Sequence, residues 1–268
     1  MNAPGLIRNA GRYLSPILPS ASARLAETLA TQPRRRARSF DPQGARTVTL
    51  RFGLRALRWG DAGPVVLALH GWEGGAHQFQ AIGKGLAERG FQLFALTGPG
   101  HDNGPDRIAH PGLFADSVQE AAAELGPLQA LIGHSMGAGA VLLAQMGGLR
   151  VERSVCLAGP AGYRGVLERI ADQLGLAPGS RARFLQRMEA RTGLPLDETH
   201  PSRVLGKIDS RLLIVHDRDD PVVPFADAEE IVLHGGDRTA LMATRGLGHG
   251  RILKNEAVVE AIGQFLNS

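Results

Sequence analysis

Leu131-Ile132-Gly133-His134-Ser135-Met136-Gly137-Ala138-Gly139-Ala140 is the stretch on which the reading of this chain turns. It opens as an apolar run and passes into Ala- and Leu-rich sequence of helical character. Between the two stands Gly-His-Ser-Met-Gly, a G-x-S-x-G pattern. A strand that hands over to a helix through so tight a turn needs small residues around it, and it lifts the turning side chain clear of the sheet edge. Ser135 is therefore expected to be a presented nucleophile, with Gly133, Gly137 and Ala138 supplying the room. A glycine-rich turn without chemistry is the plainer alternative, but it leaves the flanking strand and helix unexplained.

Outward from this elbow, short apolar runs alternate with helical stretches. Strands are expected at 65–69, 91–96, 128–132, 151–157, 212–215 and 239–243, with helices near 77–89, 113–125, 136–147, 225–233 and 255–266. The runs are continuous, as in parallel strands covered on both faces. Residues 46–52 instead alternate like a half-buried strand, with 54–59 as a hairpin partner across Gly53. The expected fold class is α/β, a mostly parallel sheet flanked by helices with an antiparallel start. The interval 161–209 is too long for an ordinary connection. Leu167, Ile170 and Leu174, then Phe184, Leu185 and Met188, recur there at helical spacing, so a small helical cap over the C-terminal edge of the sheet is expected. Residues 1–40 read as an N-terminal extension with a helix over 22–30. Residues 41–268 then form the main domain, with 161–209 inserted.

With 268 residues, 43% of them hydrophobic, the chain can bury one substantial core. Its 30 Lys and Arg stand against 26 Asp and Glu, and the basic charge is dispersed except at Arg34, Arg35, Arg36 and Arg38. That cluster reads as a solvated segment outside the core, with contact to a membrane surface or an acidic partner as the alternative. No nucleic-acid module is legible, so no nucleic-acid partner is expected. The single Cys156 lies in an apolar run and reads as a buried, inert thiol. No run approaches the roughly 18 apolar residues of a membrane span. Gly11, Pro16 and Pro19 interrupt the sequence where a signal peptide would need an apolar region, so the expected location is cytoplasmic. The oligomeric state is left open.

Acyl chemistry at a serine needs N–H donors where the oxyanion develops. Leu69-His70-Gly71-Trp72-Glu73-Gly74-Gly75 closes an earlier strand, and the backbone N–H groups of Trp72 and Met136 are the candidates. Gly71 would let that loop come close to Ser135. Beyond the strand at 212–215 come His216-Asp217-Arg218-Asp219-Asp220-Pro221-Val222-Val223-Pro224 and, later, Gly246-Leu247-Gly248-His249. Of nine His residues, His249 alone follows that strand in a Gly-rich loop. His70 and His134 read as structural. The three Asp residues lack a second ligand cluster, and no dinucleotide fingerprint, P-loop or H-E-x-x-H occurs, so no metal or cofactor is expected.

On these residues the chain resembles the α/β-hydrolase superfamily, from about residue 65 to the C-terminus apart from the cap. More narrowly it is similar to bacterial, esterase-like serine hydrolases whose acid strand ends in His-Asp-x-Asp-Asp and whose base lies in Gly-Leu-Gly-His. The order Ser, acid, His is the order of that fold. The resemblance implies hydrolysis of a carboxylic ester or related acyl bond in a small-molecule substrate, through a Ser135–Asp220–His249 triad and an acyl-enzyme. It favours Asp220 because the family's acid is usually followed by x-x-Val-Pro, as Asp220 is here. Alternation along an extended segment would also point Asp219 away, while Asp217 stands where Gly is common and reads as a loop support. Thr97-Gly98-Pro99-Gly100-His101-Asp102 departs from the usual Asp-x-Pro-Gly-His-Gly, which bears on substrate fit more than on chemistry. A Ser nucleophile argues against the carboxylate-dependent dehalogenase and epoxide hydrolase branches. The competing functions are an acyltransferase with the same triad and a non-catalytic binding protein on the same scaffold.

Overall fold

The computed structural model describes residues 3–34, 43–102 and 107–268. Arg35, Arg36 and Arg38 of the basic cluster lie outside the described residues. The strands are β1 (Arg46–Thr49), β2 (Arg55–Trp59), β3 (Val65–Leu69), β4 (Gln92–Leu96), β5 (Leu128–His134), β6 (Arg153–Leu157), β7 (Arg211–Asp217) and β8 (Thr239–Thr244). Among the described residues they form one eight-stranded sheet in the order β1-β2-β4-β3-β5-β6-β7-β8. β2 runs antiparallel to both its neighbours, and the pairs from β4 onward are parallel. The helices are α1 (Ala3–Leu14), α2 (Pro19–Thr31), α3 (Gln80–Ala87), α4 (Pro111–Leu125), α5 (Met136–Met146), α6 (Tyr163–Gln173), α7 (Pro178–Thr192), α8 (Pro201–Val204), α9 (Phe225–Gly235), α10 (Gly248–Arg251) and α11 (Glu256–Asn267).

The continuous apolar runs are explained by the two cores they serve. Val66, Ala68, Ile132 and Val155 face one way, into a layer with Ile82 of α3 and Ile262 of α11. Leu67, Leu69, Leu131 and Cys156 face the other way, against Phe114 of α4 and Val141 of α5. Each such fully buried Val, Leu or Ile side chain stabilises the fold by roughly 1.5–3 kcal/mol. β8 differs from the expectation of a strand covered on both faces. It is an edge strand, paired only with β7 among the described residues, and its Leu241 is 37% exposed. Strand order matters for function as well. β3 pairs with β4 on one side and β5 on the other, and the crevice beyond the carboxyl ends of strands at such a reversal is where α/β sheets build sites.

The N-terminal segment is not the outlying appendage that its composition suggests. α2 lies against α7, and Ala23, Ala26 and Ala30 form one core with Leu167, Phe184 and Met188. Small residues at that spacing let the helices approach closely while giving little apolar signal in the sequence. Glu27, only 6% exposed, pairs with Arg187 and Arg191. Burial raises the Glu27 pKa, but the two guanidinium groups outweigh it and hold the group below its ordinary value. A depressed carboxyl pKa stabilises the folded state above the unfolded pKa, and that contribution is lost as pH falls through the folded value. Deleting residues 1–34 should therefore uncover the cap core and produce insoluble protein, or protein melting well below the full chain. Unchanged solubility, thermal melt and activity in the truncated protein would restore the reading of residues 1–40 as a dispensable extension.

Candidate active site

The elbow is a strained turn held from both sides. Ser135 sits at φ 54°, ψ −120° between β5 and α5, a region that costs a non-Gly residue about 1–3 kcal/mol. Its N–H donates to Leu157 O and its carbonyl accepts from Ala138 N–H, both at 2.9 Å. A Cβ on Gly137 would lie 2.2 Å from Leu69 O, and one on Gly71 would lie 2.7 Å from Ser135 Cβ. The loop after β3 therefore rests directly on Ser135, where only glycine leaves space. Met136 opens α5, so its N–H has no acceptor within the helix. Trp72, Ser135 and Met136 line one cavity of about 690 Å³.

His249 and Asp220 meet across the ends of β7 and β8. His249 Nδ1 lies 2.7 Å from Asp220 Oδ2, while Asp220 Oδ1 accepts the N–H groups of Val222 and Val223 at 2.8 and 3.0 Å. The Asp220 carboxylate is fully buried. Burial pushes its pKa up, but the bonds from His249, Val222 and Val223 prevail and hold it below the ordinary carboxylate value. With Nδ1–H donated to Asp220, His249 carries its lone pair on Nε2, the arrangement of a base. His249 joins the elbow through the residue before Ser135. His134 Nε2 lies 2.9 Å from the His249 carbonyl and donates to it, and the two rings are 4.8 Å apart. Burial, aided by the neighbouring His249, lowers the His134 pKa to about 4, so His134 is a neutral spacer.

The neighbouring acids have other tasks. Asp217 accepts from Thr244 Oγ1 at 2.7 Å, Leu247 N–H at 2.9 Å and Asp219 N–H at 3.0 Å. Burial opposes its ionisation, yet these bonds hold its pKa at about 2, so it anchors the loop that carries His249. Asp219 is half-exposed and accepts from Gly246 N–H at 3.1 Å. The expected alternation between Asp219 and Asp220 does not apply. The segment is a turn, closed by Asp220 N–H donating to Asp217 O at 3.2 Å, and the turn itself separates the two side chains.

His70, read from the sequence as structural, and His101 of the Thr97–Asp102 loop brace the site, together with His216 and Arg34, whose bracing no local sequence signal marks. His70 donates from Nδ1 to Gly71 O at 2.7 Å and accepts Gly98 N–H on Nε2 at 2.9 Å. His101 accepts Glu73 N–H at 2.9 Å. Burial lowers the pKa of both rings, that of His70 to about 3, so both stay neutral near neutral pH. The Thr97–Asp102 departure thus keeps the histidine that holds the loop after β3. His216 donates to Val223 O at 3.0 Å behind Asp220. Arg34 donates through its backbone N–H and Nε to Glu73 Oε1, both at 3.1 Å, tying the exit of α2 to the same loop.

Beyond Ser135 the cavity is walled by Val166, Ile170 and Leu174 of the cap, Leu142 of α5, and Ile7 and Leu29 from the N-terminal helices. Phe184 and Met188 do not line it. They face α2 inside the cap's own core. His200, Glu230 and His234 form the one grouping among the described residues that could hold a metal ion. His200 Nε2 lies 2.8 Å from Glu230 Oε1 where the cap returns to α9, and the sequence reading did not single this group out.

Comparison with known proteins matches this architecture. The family model described as alpha/beta hydrolase fold matches residues 64–165, which hold the loop after β3 and the elbow. A second, described as TAP-like protein, matches 183–268, which hold Asp220 and His249. A serine hydrolase-like protein of Dictyostelium discoideum is 33% identical over 130 residues, 45% of this chain and 35% of that protein. This chain thus matches about a third of that relative's length. An esterase of Pyrococcus furiosus superposes with a TM-score of 0.66 at 17% identity, covering 89% of this chain and 97% of its own. An esterase of Exiguobacterium antarcticum gives 0.60 at 18% identity, covering 83% and 99%. At these identities the structural likeness is one of fold. Sheet order, elbow and family matches together make this chain a member of the α/β-hydrolase superfamily.

Proposed function

We propose that the protein is a serine hydrolase that cleaves a carboxylic ester, or a related acyl bond, of a substrate with an apolar acyl chain. The observation that carries this reading is the 2.7 Å contact from His249 Nδ1 to the buried Asp220 carboxylate, on a loop hydrogen-bonded to the elbow of Ser135. His249 Nε2 takes the Ser135 proton as the oxygen attacks the acyl carbon. The N–H groups of Trp72 and Met136 receive the oxyanion, an interaction worth about 10²–10³ in rate per donor. As the intermediate collapses, His249 returns the proton to the leaving alcohol and Ser135 keeps the acyl group. Water, activated by His249, then adds to the acyl-enzyme and releases the acid. No metal or cofactor enters these steps. The reading puts the enzyme in the cytoplasm, a reducing compartment, where Cys156 is a buried thiol with its pKa pushed up by burial to about 12.

A series of p-nitrophenyl esters of graded chain length tests the proposal, with turnover expected to rise beyond acetate as the chain fills the cavity. No turnover at any length would contradict it. Ile170→Trp and Val166→Trp should shorten the preferred chain, lowering activity on long esters about tenfold or more relative to short ones. Phe184→Ala should behave differently, because it opens a void in the cap core. It should lose about 3–5 kcal/mol of stability and keep the chain-length preference. An unchanged ester profile in both Trp variants would remove the cavity as the acyl site.

A further inference from the structure

The two N-terminal helices carry an apolar surface that the catalytic reading does not use. Of the twelve exposed large apolar side chains among the described residues, eight lie between residues 6 and 29. Tyr13 is 78% exposed and Ile17 74%, with Leu6, Ile7 and Leu14 each above half. Residues 6, 7, 10, 13, 14 and 17 recur at helical spacing, so they share one side of α1 and its continuation. The opposite side holds the helix to the cap. There Ser15 is fully buried, its Oγ accepts Ala177 N–H at 2.8 Å, and its carbonyl accepts from Ser180 Oγ at 2.7 Å.

Charge and position identify what this face meets. The chain has no acidic residue before Glu27, which is turned inward onto Arg187 and Arg191, whereas Arg8, Arg12 and Arg24 are exposed. Arg34 and the rest of the basic run follow in sequence. Arg8 and Arg12 lie on the polar side of α1, next to Asp172 of the cap, and a helix with one apolar and one arginine-bearing side suits the headgroup boundary of an anionic bilayer, where such helices lie in the plane of the membrane. Among the described residues no helix is long and apolar enough to cross one. The half-exposed Ile7 and Leu29 also line the cavity that contains Ser135. The apolar face and the cavity mouth are thus one continuous surface.

We infer that the outer face of α1 and α2 docks on an anionic phospholipid bilayer and admits acyl substrates from it between Ile7 and Leu29. The admission of substrate rests on the hydrolase reading, whereas the docking surface does not. The test is sedimentation of the full chain carrying Ser135→Ala, which leaves the lipid intact, with phosphatidylcholine vesicles that contain or lack phosphatidylglycerol. Binding is expected to the mixed vesicles and to weaken with salt. Leu14→Glu with Ile17→Glu, neither of which lines the cavity, should weaken it at least tenfold. Arg8→Glu with Arg12→Glu should weaken it at least about 25-fold, since each basic residue near an anionic surface is worth about fivefold. With Ser135 present, both pairs should turn over a short soluble ester as the parent does. No binding to either vesicle, or full binding in both variants, would overturn the inference. So would a vesicle-inert protein that is dimeric until Leu14→Glu with Ile17→Glu disperses it, because a second copy would then cover the face. Vesicle binding by a wild-type chain with no esterase activity would support the docking surface and remove the catalytic reading.

Discussion

Asp220→Asn is expected to lower ester turnover about 10⁴-fold, the scale on which a catalytic histidine suffers when its partner fixes the wrong tautomer. The geometry says why. The substituted amide would keep its oxygen on the Val222 and Val223 N–H groups and turn its NH₂ toward His249, because Asp220 Oδ1 already serves those two donors. His249 Nδ1 would then have to accept a hydrogen bond, leaving the proton on Nε2, where it blocks removal of the Ser135 proton. Asp219→Asn should cost far less, within about tenfold, since Asp219 is half-exposed and its carboxylate meets Gly246 N–H and the exposed Arg245 rather than His249. Measuring both variants with one ester, alongside thermal melts, decides between the acids. The opposite ranking would transfer the role to Asp219, and two mild effects would leave His249 without an essential carboxylate.

How much of this was legible in the sequence depended on whether the signal was local. The elbow was legible because strand, turn and helix are contiguous, and the inner strands because burial on both faces writes unbroken apolar runs. His249 stood out through its Gly-rich loop, Asp220 was chosen among three aspartates only by the family resemblance, and the structure brings the two side chains within hydrogen-bond reach. What stayed hidden was non-local. Glu73 meets Arg34, His101 meets the Glu73 amide, and His134 meets the His249 carbonyl across long separations in the chain. The docking of α2 on the cap was hidden for a different reason. Its buried stripe is alanine while its Leu25 and Leu29 point outward, so hydrophobicity alone points the wrong face inward. Phe184 and Met188 recur at helical spacing in the cap, and that spacing marks an internal core as readily as a cavity wall.

Ser135→Ala carries the largest expected effect. It removes the attacking oxygen while leaving a Cβ where the elbow already accommodates one, so the fold and its melting temperature should stay close to those of the parent. Ester turnover should fall to background, a loss on the order of 10⁶-fold for a residue whose partners cannot act without it. Its neighbours Trp72 and Met136 would still present their N–H groups, and the variant should still bind substrate.

The most direct measurement is the site of covalent labelling by a fluorophosphonate, which reacts with an activated serine whatever the natural substrate. Digestion and mass spectrometry of the labelled protein should place the phosphonyl group on Ser135, with no adduct in Ser135→Ala and strongly slowed labelling in Asp220→Asn. An unlabelled but folded wild-type protein, or an adduct that persists undiminished in Ser135→Ala, would contradict the assignment of Ser135 as the nucleophile.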